Sequence, residues 1–242
     1  MNDWQKIDTP PPLGTDVVHI WQANLEPDIN GWETLTSMLS DDEQAKASRF
    51  HFEKHKRRYT VGRSILRTLL GGYLNCSPTA INFTYNNYGK PSLKDNPTEL
   101  QFNVSRTDEI MLCAFVLKSD IGIDIEAIKP YIDCIAISQH VFSAQEKNTL
   151  QGLEGKELSS AFFRIWSRKE AYIKARGVGL SHPLQKFSVS MDKTLPVLIE
   201  HQSGANKTKR WRLYDIAVEN NYSAAIAIEA AKWRLSHYHF SK

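Results

Sequence analysis

The chain has 242 residues, 41% hydrophobic and 24% charged, enough to bury a proper core and ordinary for a globular protein. Its formal net charge of only +3 argues against a bulk polyanion binder, so any anion site has to come from local clustering. No stretch approaches the ~20 apolar residues of a membrane-spanning helix, and three widely spaced cysteines (Cys76, Cys113, Cys134) fit a reduced, cytoplasmic protein without structural zinc.

Residues 1–14 mix Trp4, Asp8 and the run Pro10-Pro11-Pro12, and are expected to form a flexible tail rather than a signal peptide. Residues 16–23 (DVVHIWQA) predict a strand. Ser40 opens a helix over 40–50, with Glu43 three residues on as its capping-box partner. A second helix over 54–71 is expected to stop at Gly71-Gly72. Phe83 and Tyr85 alternate with polar neighbours in a strand at 81–86, Tyr88-Gly89-Lys90-Pro91 is a turn, and 110–118 (IMLCAFVLK) is a strongly apolar strand. The second half has the same rhythm. A helix at 157–176 ends at Gly177 with Lys174 and Arg176 in its last turn, and strands follow at 186–191, 210–218 and 222–229. In both halves a long helix ends at glycine, a strand follows, and an apolar strand comes later. The expectation is an α+β fold of two similar halves, 15–120 and 121–242.

Two segments carry chemistry. In residues 121–126, strand alternation sends Ile121, Ile123 and Ile125 to one face and Gly122, Asp124 and Glu126 to the other. Asp124 and Glu126 then stand roughly 6.6–7 Å apart at Cα, close enough to share a cation, and Gly122 leaves open space beside them. A solvated acidic edge strand would look the same. On the helix, Trp166, Glu170 and Lys174 share one face beside the apolar stripe of Leu158, Phe162 and Ile165. A carboxylate and an ammonium at that seam suit a metal and a phosphate, although a plain Glu–Lys pair has the same spacing.

Together, Gly122-Ile123-Asp124-x-Glu126 followed by Trp166-Ser167-x-Lys169-Glu170-x-x-x-Lys174 resembles the signature of the Sfp-type 4′-phosphopantetheinyl transferase family. Tyr88-Gly89-Lys90-Pro91, Phe102-Asn103-Val104-Ser105, Phe142-Ser143-x-x-Glu146, Gly177-x-Gly179-Leu180 and the basic stretch around Arg58 also resemble family elements. The resemblance is strong over roughly 39–190. It implies a pseudo-twofold fold and a Mg²⁺-dependent enzyme. In such an enzyme the serine of an apo acyl carrier protein or peptidyl carrier domain attacks the β-phosphorus of coenzyme A, and 3′,5′-ADP leaves.

Carried over residue by residue, the resemblance assigns Mg²⁺ to Asp124, Glu126 and Glu170, the base to Glu170, and a pyrophosphate contact to Lys174. Lys169 becomes a phosphate or surface contact. Arg58 is assigned to the CoA 3′-phosphate with Lys46 in support, Lys90 to the adenine and phosphates, and Ser105 to a phosphate. In the basic run Lys46, Lys54, Lys56, Arg57, Arg58, Arg63, Arg67, the residues Lys54 and Lys56 fit a solvated helix face better. Arg106 departs from the family, which usually has histidine there; arginine is always charged and grips phosphate bidentately. Glu146 is a family glutamate but also the partner of Ser143 in a capping box. The expected state is a monomer, with CoA in the cleft between its halves and no nucleic-acid or membrane partner. Competing readings are another metal-dependent phosphoryl transfer or phosphohydrolase activity, a nucleic-acid binder using the basic run, and a degenerate CoA-binding relative.

Overall fold

The computed structural model describes residues 4–26, 32–179, 183–191, 199–201, 211–229 and 233–241. The predicted Leu180 of the Gly-x-Gly-Leu segment lies outside them. Among the described residues the first half contains β2 (Val17–Asn24), α1 (Asp41–Ser48), α2 (Glu53–Leu74), the short pair β3 (Phe83–Tyr85) and β4 (Pro91–Leu93), and β5 (Leu100–Thr107) with β6 (Ile110–Leu117). The second half repeats that order: β7 (Ile121–Ala127), α3 (Cys134–Val141), α4 (Ala144–Leu150), α5 (Gly155–Arg176), the short pair β8 (Phe187–Val189) and β9 (Ile199–His201), and β10 (Trp211–Asp215) with β11 (Tyr222–Glu229). Both long helices have 22 residues.

The sheets repeat as well. In the first, β2 pairs β6 and β6 pairs β5; in the second, β7 pairs β11 and β11 pairs β10. The first sheet is then extended from the chain's two ends. β12 (Arg234–Phe240) runs parallel to β2, and β1 (Gln5–Ile7) runs parallel to β12. Residues 5–7 are therefore a strand where a tail was expected, and residues 234–240 belong to the first sheet although they follow the second half. Their apolar positions, Ile7, Tyr238 and Phe240, complete the first core.

Three cores fix the layers. The apolar face of α2 (Val61, Ile65, Leu66, Leu69, Leu70) covers one face of the first sheet through Trp21, Phe102 and Phe115. The opposite face, Val18, Ile20, Leu112, Ala114 and Val116, packs on Ile121, Ile123, Ile125, Ala224, Ile226 and Ile228 of the second sheet. The outer face of that sheet is covered by α5 through Phe162, Ile165, Ala171, Ile173 and Ala175. Helix α2 runs through Gly71-Gly72 and stops at Asn75, whose φ of 52° is left-handed. Tertiary contacts override the glycine stop signal: Tyr73 packs on Phe115, and its hydroxyl accepts from Trp21 Nε1 at 2.8 Å.

Candidate functional site

Strand β7 carries the first two carboxylates as its alternation predicts. Ile121, Ile123 and Ile125 are buried between the sheets, while Gly122, Asp124 and Glu126 face α5. Gly122 leaves no open space, contrary to expectation. A Cβ there would stand 2.1 Å from the Ala171 carbonyl oxygen and 2.2 Å from the Ala175 nitrogen, so the missing side chain lets α5 lie directly on β7. That contact brings the helix residues over the strand carboxylates. Trp166 Nε1 donates to Glu126 Oε1 at 3.2 Å, and Lys174 Nζ lies 2.6 Å from Asp124 Oδ1.

The cluster is electrostatically uneasy. Burial, the Asp124 carboxylate and Glu126 push Glu170 up to about 7, against the opposing pull of Lys174. Burial and Asp124 also raise Glu126. Asp124 Oδ2 and Glu170 Oε1 are buried oxygens with no hydrogen-bond partner. Buried carboxylate oxygens ordinarily find donors, and orphaned ones beside further carboxylates suit a hard divalent cation. Among the described residues no three His, Cys, Asp or Glu side chains are grouped so that they could hold a metal ion by themselves. The fit to Mg²⁺ is therefore one of donor type and charge.

Strand β5 forms the seam with β7. Asn103 Oδ1 accepts from the Ile123 backbone N–H at 2.9 Å and Thr107 Oγ1 from that of Ala127 at 3.3 Å. Between them Ser105 Oγ donates to Asp124 Oδ1 at 2.9 Å and lies 2.7 Å from Lys174 Nζ. Ser105 is thus tied into the carboxylate cluster. Sequence reasoning missed Asn103 and Thr107 as seam residues, although the alternation Asn103, Ser105, Thr107 against Phe102, Val104 was there to be read.

A cationic pocket lies on the α2 side of β5. A cavity of about 190 Å³ is lined by Lys46, Tyr59, Arg63, Tyr85 and Arg106. A second, of about 250 Å³, is lined by Tyr88, Lys90, Asn103, Glu170 and Lys174. Gly89, Pro91 and Val104 wall both, so the two adjoin. Lys46 Nζ and the Arg106 guanidinium both approach the Tyr59 ring, at 5.6 and 5.8 Å from its centroid. Arg63 pairs with buried Glu43, which also holds Arg67 at 2.7 Å and caps α1 through the Ser40 N–H.

Two residues expected at the phosphates are engaged elsewhere. Arg58 Nε donates to Glu26 at 2.6 Å and its guanidinium reaches Glu109 at 3.6 Å, and it lines neither cavity. It sits on the first turns of α2, and nearby carboxylates satisfy it there. Lys90 lines the second cavity, but its Nζ donates to the carbonyls of Ala175 at 2.7 Å and Ile121 at 3.2 Å.

Lys169 is neither a phosphate nor a surface contact. It is fully buried, donating to both Glu146 oxygens at 2.7 Å and to the Phe187 carbonyl at 2.6 Å. Glu146 also accepts from the Ser143 and Val189 backbone N–H groups, each at 2.8 Å. Its observed contacts are those of a cap and a buried ion pair joining α4, α5 and β8.

Comparison with known proteins identifies the family. The family model described as "4'-phosphopantetheinyl transferase superfamily" matches residues 120–227, and "4'-phosphopantetheinyl transferase, N-terminal" matches 23–117. The chain is 35% identical over 230 residues to the 4'-phosphopantetheinyl transferase HetI of Nostoc sp., covering 94% of each protein. It is 33% identical over 168 residues to the 4'-phosphopantetheinyl transferase Sfp of Bacillus subtilis, covering 69% of this chain and 73% of that protein. Among solved structures it is similar to a holo-(acyl-carrier-protein) synthase from Bacillus anthracis, at 21% identity and a TM-score of 0.39, covering 46% of this chain and 96% of the other. The chain belongs to the 4′-phosphopantetheinyl transferase superfamily, among its Sfp-type members. Its activity is accordingly 4′-phosphopantetheinyl transfer.

Proposed function

We propose that the chain moves the 4′-phosphopantetheine arm of coenzyme A onto a serine hydroxyl of an apo carrier protein, with Mg²⁺ as cofactor and 3′,5′-ADP as the other product. The observation that carries this reading is a cavity lined by Glu170 and Lys174, with Lys174 Nζ 2.6 Å from Asp124 Oδ1, that adjoins a cationic, tyrosine-lined pocket on the other side of β5. A nucleotide with a 3′-phosphate and a pyrophosphate needs both ends.

Asp124, Glu126 and Glu170 would hold the Mg²⁺, which when bound neutralises charge on the pyrophosphate oxygens. Glu170, which lines the cavity beside Lys174, is the base that takes the proton of the carrier serine. Lys174 holds Asp124 and Ser105 in register and presents positive charge toward the leaving oxygen. Lys46 and Arg106 receive the 3′-phosphate, with the tyrosine faces beside them. Every residue assigned to the site comes from one chain, which supports a monomer as the working unit.

The test is mass spectrometry of fatty-acid, polyketide and nonribosomal-peptide apo carriers incubated with CoA and Mg²⁺. A gain of one phosphopantetheine group with release of 3′,5′-ADP is expected. Hydrolysis of CoA without carrier modification would overturn the reading.

A further inference from the structure

The last four carbonyls of any helix lack donors within it, and they form the negative end of its dipole. In α5 one of these is met locally, by the Gly177 N–H on the Lys174 carbonyl at 3.2 Å. Two others are met from the opposite half of the molecule, where Lys90 Nζ donates to Ala175 and Asn86 Nδ2 to Gly177, each at 2.7 Å. The same ammonium donates to the carbonyl of Ile121, the first residue of β7. Asn86 Oδ1 in turn accepts from the Tyr88 and Lys90 N–H groups at 2.9 and 3.0 Å, so the turn is braced before it meets the helix. The fit is close. Gly177 has a φ of +62°, and a Cβ there would stand 2.9 Å from Asn86 Nδ2 and 3.0 Å from Lys90 Cδ.

We propose that Lys90, with Asn86, is a positioning residue: a C-terminal cap given to the catalytic helix by the other half of the chain, which sets α5 and β7 in register. Lys174 and Glu170 lie in the last two turns of α5, and Asp124 lies three residues beyond Ile121. One side chain therefore holds the ends of both elements that carry the site. This assignment rests on the transferase reading only for its rate measurements.

The experiment compares Lys90→Met, Lys90→Arg and Asn86→Ala. Steady-state transfer should show kcat falling about tenfold or more in Lys90→Met, with KM for CoA within about threefold. Asn86→Ala should show a smaller fall of the same kind, and Lys90→Arg should recover at least about half of the lost rate. Hydrogen exchange should rise about tenfold at residues 173–177 in Lys90→Met and stay unchanged in the first turns of α5. A KM or Kd for CoA weakened about tenfold at unchanged kcat would make Lys90 a ligand contact and overturn the proposal. Unchanged exchange at the end of α5 would overturn it as well. If the wild-type chain modifies no carrier, the transferase reading fails by itself, and the exchange measurement still decides the cap.

Discussion

At the scale of single residues the site is a balance of like charges. Glu170 has its proton affinity raised from the ordinary 4.5 to about 7. A carboxyl raised in the folded state contributes stability that is fully present below its unfolded value and lost as pH rises through about 7. In chelator, wild type should therefore lose about 1–3 kcal/mol between pH 4.5 and 7.5 that Glu170→Gln does not lose. Urea unfolding at each pH measures this, and Mg²⁺ should restore the loss in wild type alone. Alanine at Asp124, Glu126 or Glu170 should each depress transfer severely, and a double substitution should cost little more than one. Near-normal rates for Asp124→Ala would remove it from the site. Arg106 has no salt bridge among the described residues, only the Tyr59 face, and it shares its pocket with Lys46 rather than Arg58. A charge-assisted bond to a 3′-phosphate, typically about 1.5–3 kcal/mol, is roughly 10- to 150-fold in affinity. Wild type should prefer CoA over 3′-dephospho-CoA, and Arg106→Ala should prefer it less. The ratio of kcat/KM values for the two substrates reads this directly.

At the scale of elements, strand alternation made the two faces of β7 legible, and helical spacing placed Glu170 and Lys174 on one side of α5. Neither could say which long side chain turns inward. Lys169 is next to Glu170 in sequence, yet it points into the core that α5 shares with α4 and β8, where it meets Glu146. The Ser143–Glu146 capping box was readable; the second use of that carboxylate was not, because the partner lies 23 residues away on another helix. Gly122 was misread for the same reason, since its packing partner comes from a distant segment. Lys169→Ala should strand a buried carboxylate and cost about 3–5 kcal/mol, whereas Glu146→Gln with Lys169→Met should cost much less. Urea midpoints of the three proteins check this, and a double variant that loses as much as Lys169→Ala would show that the stranded carboxylate is not the source of the loss.

At the scale of the whole molecule, the repeated topology was visible in the rhythm of helices, glycines and strands, and the two family matches divide near residue 120. The return of β12 to the first sheet was not visible, because nothing in a short half-buried strand names its partner. A fragment 15–120 should fail to fold alone, since it lacks both β12 and β1, which extend its sheet beyond β2. Circular dichroism of that fragment, with and without a fused 233–241 segment, tests it; a cooperative unfolding transition without the segment would contradict it. The same strand governs the chain's history during synthesis. Asp8 and Ser241, 233 residues apart, meet through a hydrogen bond of 2.6 Å. The first sheet therefore waits, open along β2, until nearly all of the second half has been made. Parallel pairing over such a separation forms slowly, so the newborn first half must spend that interval with an unprotected strand edge, the surface on which chains stick to one another.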